Sequence, residues 1–237
     1  MTLSRWLRRL GGATGGDSEI ASVALSMGAA ILVLGATFGA LATASGVSVL
    51  LTCAMSLVMY AGGAQFLALS LVTGGAGAAS VIGSGVLLNA RHLPFGLALS
   101  GSIPGRGWRR LMACHLLTDE VTAVTLRFLD PVRARRAYLV VGIGNYLTWN
   151  LGTFAGALAG QAVADAQALG LDAAFPASIL ALLAPHLRDR TKCLAALAGA
   201  SLALAMTPLL PVGAPVLVAA AGGLIVGLFS GRGTANR

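Results

Sequence analysis

The run IASVALSMGAAILVLGATFGAL, residues 20–41, contains no charged side chain and decides the fold class of this chain. The uncharged sequence extends well beyond it, since no charged residue occurs between Glu19 and Arg91. At about 20 residues per crossing, this length accommodates three helices that span a bilayer. Gly46 and the glycine-rich residues 74–77 mark the turns between them. We therefore predict membrane spans at 20–43, 47–72 and 78–99.

The composition of the whole chain agrees with lipid as its outer solvent. Of the 237 residues, 57% are hydrophobic, 32 are glycine and 10% are charged, whereas a soluble domain carries roughly 25% charged residues. The formal net charge of +8 would suggest nucleic acid as a partner, but the basic residues form short clusters between apolar runs. We predict an all-α, polytopic membrane bundle that binds no nucleic acid.

The rest of the chain continues this pattern. We predict further spans at 111–128, 137–163, 174–187, 193–210 and 214–230. Prolines punctuate the last three, so some spans are expected to be broken or re-entrant, and the total is seven or eight. The division that follows is a cytoplasmic segment 1–19, a single transmembrane domain 20–230 and a C-terminal tail 231–237.

The distribution of Lys and Arg predicts the orientation. It puts the N-terminus, residues 127–136, residues 188–192 and the C-terminus on the cytoplasmic side, and the acidic loop 164–173 outside. With eight spans, the three arginines of residues 106–110 then fall on the outer face. Either this loop violates the rule, or a neighbouring segment is re-entrant and the number of spans is seven.

Two segments of the chain are similar to each other. GATFGALA at 35–42 resembles GTFAGALA at 152–159. One interpretation is an internal repeat, as in many transporters. The other is that small residues four apart recur wherever membrane helices pack closely.

Gly62, Gly63 and Gln65 form the first candidate site. Each glycine weakens a helix by about 1 kcal/mol relative to alanine, and Gln65 brings an amide into apolar surroundings. A helix break there would free backbone groups for a ligand. The alternative is close helix packing, with Gln65 bonded to a neighbouring helix.

Asn89, Arg91 and His92 form the second candidate site. An arginine within the membrane costs about 2.5 to 3.5 kcal/mol, so Arg91 must be paired, reach water or lie near an interface. Its planar fork suits a substrate carboxylate, with Asn89 and His92 as further polar contacts. A purely structural ion pair is the alternative.

His115, Asp119 and Glu120 form the third candidate site. His115 and Asp119 are four residues apart, and we expect them to share a helix face that meets a cavity or Arg91. Carboxylates that exchange protons within a membrane suit a proton-coupled carrier. The alternative is a structural partnership with Arg91 or with the arginines of residues 127–136.

Other classes of site receive no support from the sequence. The three cysteines are far apart in apolar sequence, which suggests neither a disulfide framework nor a zinc site. No metalloprotease or serine-hydrolase signature occurs, so we predict that the chain is not an enzyme. No Walker A pattern occurs either, which favours secondary transport. We predict neither a cofactor nor a metal.

Taken in order, these stretches resemble the AzlC family, the large subunit of bacterial branched-chain amino-acid exporters. The similarity covers most of the chain. It runs through Gly35–Gly39, Met55–Ser56, Ala61–Phe66, Asn89–Leu93, His115–Glu120, Gly152–Gly160 and Gly170–Pro176. One departure is Tyr60, where the family pattern favours phenylalanine.

The resemblance implies a multi-pass exporter in the bacterial cytoplasmic membrane. Its expected substrates are valine, leucine, isoleucine and analogues such as azaleucine, and its expected partner is a small AzlD-like membrane subunit. Alternatives are a non-transporting assembly or sensor subunit, or an exporter of a different small solute.

Overall fold

Helices make up the regular secondary structure of this protein. The computed structural model describes residues 15–162, 180, 184, 186–210 and 214–231. A short 3-10 helix at His186–Arg188 accompanies ten α-helices in these ranges: α1 (Gly15–Ala44), α2 (Val49–Met59), α3 (Gly62–Thr73), α4 (Ala78–Asn89), α5 (His92–Ala98), α6 (Trp108–Cys114), α7 (Asp119–Thr125), α8 (Pro131–Gln161), α9 (Arg190–Met206) and α10 (Ala214–Gly231). No β-strand occurs among the described residues, which confirms the all-α prediction for them.

The first predicted span lies within α1. Its segment Ser18–Ala44 has 27 residues and a mean hydropathy of 2.0, so it is long and apolar enough to cross a membrane. Within the described ranges it is the one helix that meets both conditions. The number of spans therefore stays a prediction.

The next three predicted spans are each divided into two short helices. Breaks lie at Tyr60–Ala61 between α2 and α3, at Ala90–Arg91 between α4 and α5, and at residues 115–118 between α6 and α7. None of these six helices exceeds 12 residues, or about 18 Å, against a hydrocarbon thickness of about 30 Å. The breaks near Gly62 and near Arg91 agree with the expectation of broken helices, whereas the expectation of one helix through 111–128 was wrong.

The later predicted spans are found with shifted boundaries where the structure describes them. α8 begins at Pro131, six residues before the predicted start, because proline suits the first helical position and Asp130 Oδ2 accepts from the amide of Arg133 at 2.8 Å. α9 and α10 correspond to the spans at 193–210 and 214–230. The loop 164–173, most of the span 174–187 and both chain ends lie outside the described residues. The division into 1–19, 20–230 and 231–237 stays a prediction.

The chain forms two compact units. Among the described residues, the first contains residues 15–40, Val49–Tyr60 and His92–Ala159. The second contains Leu41–Ser48, Ala61–Arg91 and the described residues from Gly160 onward. α2 and α3 thus belong to different units although they are neighbours in sequence, as do α4 and α5.

In the first unit, α1 and α8 pack with their backbones in contact. A Cβ added at Gly35 would lie 2.5 Å from the carbonyl oxygen of Trp149, and one at Gly39 would lie 2.7 Å from the amide nitrogen of Ala157. Sequence number rises in the same direction along both helices at these contacts, so the two helices run parallel. Segments 35–42 and 152–159 thus lie at a contact of closely packed small residues, which supports the packing interpretation, and the internal repeat stays a prediction.

One end of the first unit, which we call the arginine end, consists of Glu19 and the residues 99–110 and 127–136. Glu19 forms an ion pair with Arg133 at 3.6 Å, and Arg135 Nη2 donates to the carbonyl of Gly101 at 3.4 Å. Buried apolar side chains join the three segments beneath these contacts: Ile20, Leu99, Ile103, Val121, Val124, Ala137, Tyr138 and Val141.

α6 and α7 form a short hairpin that starts and finishes at the arginine end. Four residues at or just before the start of α6 line a cleft with Arg135, namely Gly105, Arg106, Trp108 and Arg109, and α7 leads directly into residues 127–136. Each helix has seven residues, about 10 Å, so the hairpin reaches only part of the way along the unit. This arrangement favours the alternative in which a re-entrant segment brings the arginines of residues 106–110 to the same side as residues 127–136.

The second unit contains two helical hairpins. α3 and α4 are joined at residues 74–77, where Gly75 has a φ of +81°. α9 and α10 lie so close that a Cβ at Gly199 would be 3.1 Å from the carbonyl oxygen of Ala219. α10 also reaches α4, since a Cβ at Gly83 would lie 3.8 Å from the side chain of Leu217.

Candidate functional site

The break between α2 and α3 leaves a backbone carbonyl without its helical partner. α2 ends at Met59, and Tyr60 has a φ of 33°, a conformation that bulky side chains rarely adopt. In an unbroken helix the amide of Ala61 would donate to the carbonyl of Leu57. The predicted break is thus observed directly before Gly62.

Two side chains from elsewhere in the first unit form hydrogen bonds with the carbonyl of Leu57. Nε2 of His115 lies 2.9 Å from this oxygen, and the hydroxyl of Tyr146 donates to it at 3.3 Å. The rings of Tyr60, His115 and Tyr146 lie together, with centroid separations of 4.8 to 5.7 Å. Tyr60 is therefore part of an aromatic cluster that surrounds the end of α2.

A polar seam, which the sequence analysis missed, continues from this cluster between α2 and α8. The hydroxyl of Ser56 donates to Oδ1 of Asn150 at 2.8 Å and lies 3.3 Å from the hydroxyl of Thr153. Asn150 Nδ2 donates in turn to the carbonyl of Tyr146 at 2.8 Å. Tyr146, Asn150 and Thr153 recur at helical spacing inside an apolar span, and this periodicity is the signal that could have identified the seam.

In the second unit, the start of α3 lies beside a guanidinium group. Ala61 precedes α3 without a side-chain cap, so the first amides of the helix have no partner on their own helix. A Cβ added at Gly63 would lie 3.6 Å from Nη2 of Arg91. The structure thus brings together two residues that the sequence analysis treated as separate sites. Both the helix terminus and the guanidinium carry positive charge, which suits an anion.

Gln65 lies in the same part of α3 and is fully buried. Neither its amide oxygen nor its amide nitrogen has a hydrogen-bond partner among the described residues. Ser84 on α4, also missed by the sequence analysis, is buried with an unpartnered hydroxyl in the same part of the chain. It precedes Leu88 by one turn, and Leu88 contacts the Gly63 position, so Ser84 lies on the side of α4 that turns toward α3. Buried polar groups in native proteins normally have partners, which makes Gln65 and Ser84 candidates for ligand contacts.

The other two residues of the second predicted site lie on either side of the break at Ala90–Arg91. Asn89 is the last residue of α4 and belongs to the second unit. His92 is the first residue of α5, belongs to the first unit, and packs edge-on against Phe95 at a centroid distance of 6.1 Å. Within the second unit, the site therefore consists of the start of α3 and the end of α4.

The third predicted site differs from the expectation. α6 ends at Cys114, and α7 begins at Asp119, so His115 and Asp119 do not share a helix face. The hydroxyl of Thr118 accepts from the amide of Val121 at 3.3 Å and caps α7, which stops the helix from continuing through this stretch. Asp119 and Glu120 occupy the first turn of α7, where the helix dipole favours negative charge. His115 instead joins the aromatic cluster.

Two further side chains of the first unit, those of Thr125 and Asn145, are buried and have polar atoms without a hydrogen-bond partner in the described part of the chain. Asn145 on α8 is 1% exposed, and both of its amide atoms lack partners there. The amide of Asn150 on the same helix, by contrast, bonds to Ser56 and to the carbonyl of Tyr146.

Comparison with known proteins identifies several relatives. A membrane protein of Helicobacter pylori with no characterised function is 30% identical over 132 residues, which are 55% of this chain and 58% of the relative. An uncharacterised membrane protein of Archaeoglobus fulgidus is 30% identical over 206 residues, 83% of this chain and 87% of the relative. The branched-chain amino acid transport protein AzlC of Bacillus subtilis is 25% identical over 179 residues, 75% of this chain and 70% of the relative. No solved structure matches.

The family comparison covers the helices that carry the candidate sites. The model of the AzlC protein family matches residues 26–163, from within α1 to just beyond the end of α8. This range includes the helix break at Tyr60–Ala61, the start of α3 with Arg91, and the α6–α7 hairpin. Since the matched residues are more than half of the chain and the relatives are membrane proteins, this protein is a membrane protein of the AzlC family.

Proposed function

We propose that this protein exports branched-chain amino acids across the bacterial cytoplasmic membrane, which it spans several times. Membership of the AzlC family supports the proposal, as does the similarity to a Bacillus subtilis protein named for branched-chain amino acid transport. The proposed substrates are valine, leucine, isoleucine and analogues such as azaleucine. The proposed mechanism is alternating access, in which broken helices expose the site to one side of the membrane at a time.

The observation that carries the proposal is the position of Arg91 beside Gly63 at the uncapped start of α3. Every amino acid substrate carries a carboxylate, and helix N-termini and guanidinium groups are the common protein ligands for carboxylates. We propose that the first amides of α3 and the Arg91 guanidinium hold this group. Glycine at 62 and 63 lets the substrate approach the backbone closely.

Gln65 and Ser84 supply further polar contacts to the substrate in this proposal. Both are buried and lack hydrogen-bond partners within the described ranges. A bound polar group would remove the desolvation cost of these side chains. Asn89 and His92 remain proposed contacts at the neighbouring break, and an apolar wall would select the branched side chain.

We further propose that transport is secondary and driven by the proton gradient, with His115, Asp119 and Glu120 as the coupling groups. Asp119 and Glu120 lie in the first turn of α7, and His115 lies in the turn before it. Carboxylates at membrane depth are costly and therefore rare, and those that occur there are paired or belong to transport pathways. A small AzlD-like membrane subunit is the proposed partner.

The test is the efflux of labelled amino acids from preloaded proteoliposomes, with and without the small subunit and an imposed proton gradient. Arg91→Gln should lower the flux of valine, leucine and isoleucine at subsaturating substrate by at least about tenfold, because a charge-assisted hydrogen bond contributes about 1.5 to 3 kcal/mol. Arg91→Lys keeps the charge but loses the planar fork, so it should recover part of the flux.

Arg127→Gln is the matched control, since it removes the same charge from an exposed residue outside the proposed site. Its flux should equal that of the unmodified protein. Absence of flux from folded protein in every condition, including those with the small subunit, would contradict the proposal. That result would favour a non-transporting assembly or sensor subunit, or a different solute.

A further inference from the structure

A cleft at the arginine end of the first unit gathers three guanidinium groups. It has a volume of about 590 Å³ and opens to the outside of the unit. Its lining consists of Gly105, Arg106, Trp108, Arg109 and Arg135. The cleft combines residues from the loop before α6, from α6 itself and from α8, and it shares no residue with the proposed carboxylate site.

The backbone around the cleft is held in place by specific contacts. Arg110 Nη2 donates to the carbonyl of Ser100 at 2.7 Å, and Arg135 Nη2 donates to the carbonyl of Gly101 at 3.4 Å. Gly105 has a φ of +91°, and a Cβ there would lie 3.1 Å from the carbonyl carbon of Arg109. Only glycine fits this turn, which folds the loop against the start of α6.

The positive charge of the cleft is not balanced by carboxylates of the described residues. Arg106, Arg109 and Arg135 form no ion pair with any of them. Glu19 pairs with Arg133 instead, and Asp130 accepts from the backbone at the start of α8. Three neighbouring guanidinium groups repel one another, so an anion bound between them would be stabilised.

An apolar surface adjoins the cleft and indicates what kind of anion fits. Trp108, Leu111 and Met112 share one face of α6 and are 69%, 67% and 60% exposed. In a membrane protein, exposed side chains of this kind face lipid, and tryptophan is enriched at the boundary between lipid and water. A ligand with a phosphate group and a hydrocarbon body would contact both surfaces.

We propose that this cleft binds the phosphate of an anionic phospholipid headgroup, whose acyl chains lie along α6. Basic pockets at the cytoplasmic side of membrane helices bind such headgroups. The predicted orientation puts the arginine end on that side. Inorganic phosphate shares the headgroup chemistry but lacks the hydrocarbon chains, which separates the two sources experimentally.

The experiment is native mass spectrometry of the full-length protein in detergent after incubation with phosphatidylglycerol or phosphatidylcholine. The unmodified protein should retain phosphatidylglycerol in preference to phosphatidylcholine. The triple variant Arg106→Gln, Arg109→Gln, Arg135→Gln should retain it about a hundredfold more weakly, since each basic side chain contributes about a factor of five. Arg127→Gln should retain it as the unmodified protein does.

Single variants keep the test informative if the triple variant does not fold. Arg106→Gln and Arg109→Gln alter exposed side chains and should each weaken retention about fivefold. Equal retention of phosphatidylglycerol by the triple variant and the unmodified protein would overturn the proposal. A second result would also overturn the proposal: equimolar inorganic phosphate displaces phosphatidylglycerol, and the protein retains phosphatidylglycerol no better than phosphatidylcholine. That result would assign the cleft to free phosphate.

Discussion

Nε2 of His115 lies 2.9 Å from the carbonyl oxygen of Leu57 and ties the turn between α6 and α7 to the end of α2. Because a carbonyl oxygen only accepts, Nε2 must carry the proton in this contact. The imidazole thus replaces the backbone amide that the helix break has removed. His115 therefore stabilises the broken helix by donating Nε2–H to the carbonyl of Leu57.

Replacing His115 with alanine should destabilise the first unit. The carbonyl of Leu57 would keep only the longer hydrogen bond from Tyr146, and hydrogen bonds between membrane helices contribute about 0.6 to 2 kcal/mol. We expect a lower thermal unfolding temperature in detergent for His115→Ala. Tyr146→Phe, which keeps the ring and loses a 3.3 Å contact, should have a smaller effect. Equal unfolding temperatures for His115→Ala and the unmodified protein would show that the contact is not stabilising.

The contact between α1 and α8 predicts a sharp difference between two glycines. A Cβ at Gly39 would overlap the carbonyl oxygen of Thr153, whereas a Cβ at Gly144 on α8 meets nothing within 4 Å. Gly39→Ala must separate the helices, and such overpacking costs at least about 1 to 3 kcal/mol. Gly144→Ala should be neutral or stabilising by about 0.5 to 1 kcal/mol, because alanine favours the helix. Size-exclusion profiles and unfolding temperatures of both variants would measure this, and a Gly39→Ala protein as stable as Gly144→Ala would refute the close packing.

Local chemistry made part of this structure predictable from the sequence. Hydrophobicity alone was sufficient to predict α1. The weak helix formers Gly62 and Gly63 indicated a helix break, and the observed break lies directly before them. The error at His115 and Asp119 arose because apolar periodicity was followed through Thr118. Threonine followed by two acidic residues is a helix start signal, and it prevailed over that periodicity.

Contacts between distant segments could not be read from the sequence in the same way. The approach of Arg91 to Gly63 depends on the turn at residues 74–77, which reverses the chain between them. The approach of Arg135 to residues 105–109 depends on two short helices that the hydropathy pattern merged into one span. In both cases the sequence identified the charged residues, and the fold determined which residues they meet.

Gln65 and Asn145 provide a matched pair for testing the carboxylate site. Both amides are buried and lack hydrogen-bond partners within the described residues, so leucine at either position should maintain or raise the unfolding temperature without substrate. The proposal predicts a difference only when leucine or valine is added. Gln65→Leu should lose the substrate-induced rise in unfolding temperature, whereas Asn145→Leu should keep it. If both variants keep it, Gln65 does not contact the substrate.

Asp119 and Glu120 can be assigned to proton coupling or to helix stability by separating two kinds of flux. As first-turn residues of α7, each contributes about 0.3 to 1 kcal/mol to the helix through its negative charge, so a structural role predicts a modest loss of stability. A coupling role predicts in addition that the Asp119→Asn, Glu120→Gln variant loses gradient-driven efflux. Its substrate counterflow, which needs no net proton movement, should remain.

Thr118→Ala is the control for this distinction. It weakens the start of α7 by removing the hydroxyl that accepts from Val121, at a cost of about 0.5 to 2 kcal/mol, but leaves both carboxylates. If coupling depends on the carboxylates themselves, this variant loses stability and keeps gradient-driven efflux. If the double variant remains fully gradient-coupled, these residues only stabilise α7, and the proton pathway lies elsewhere in the protein.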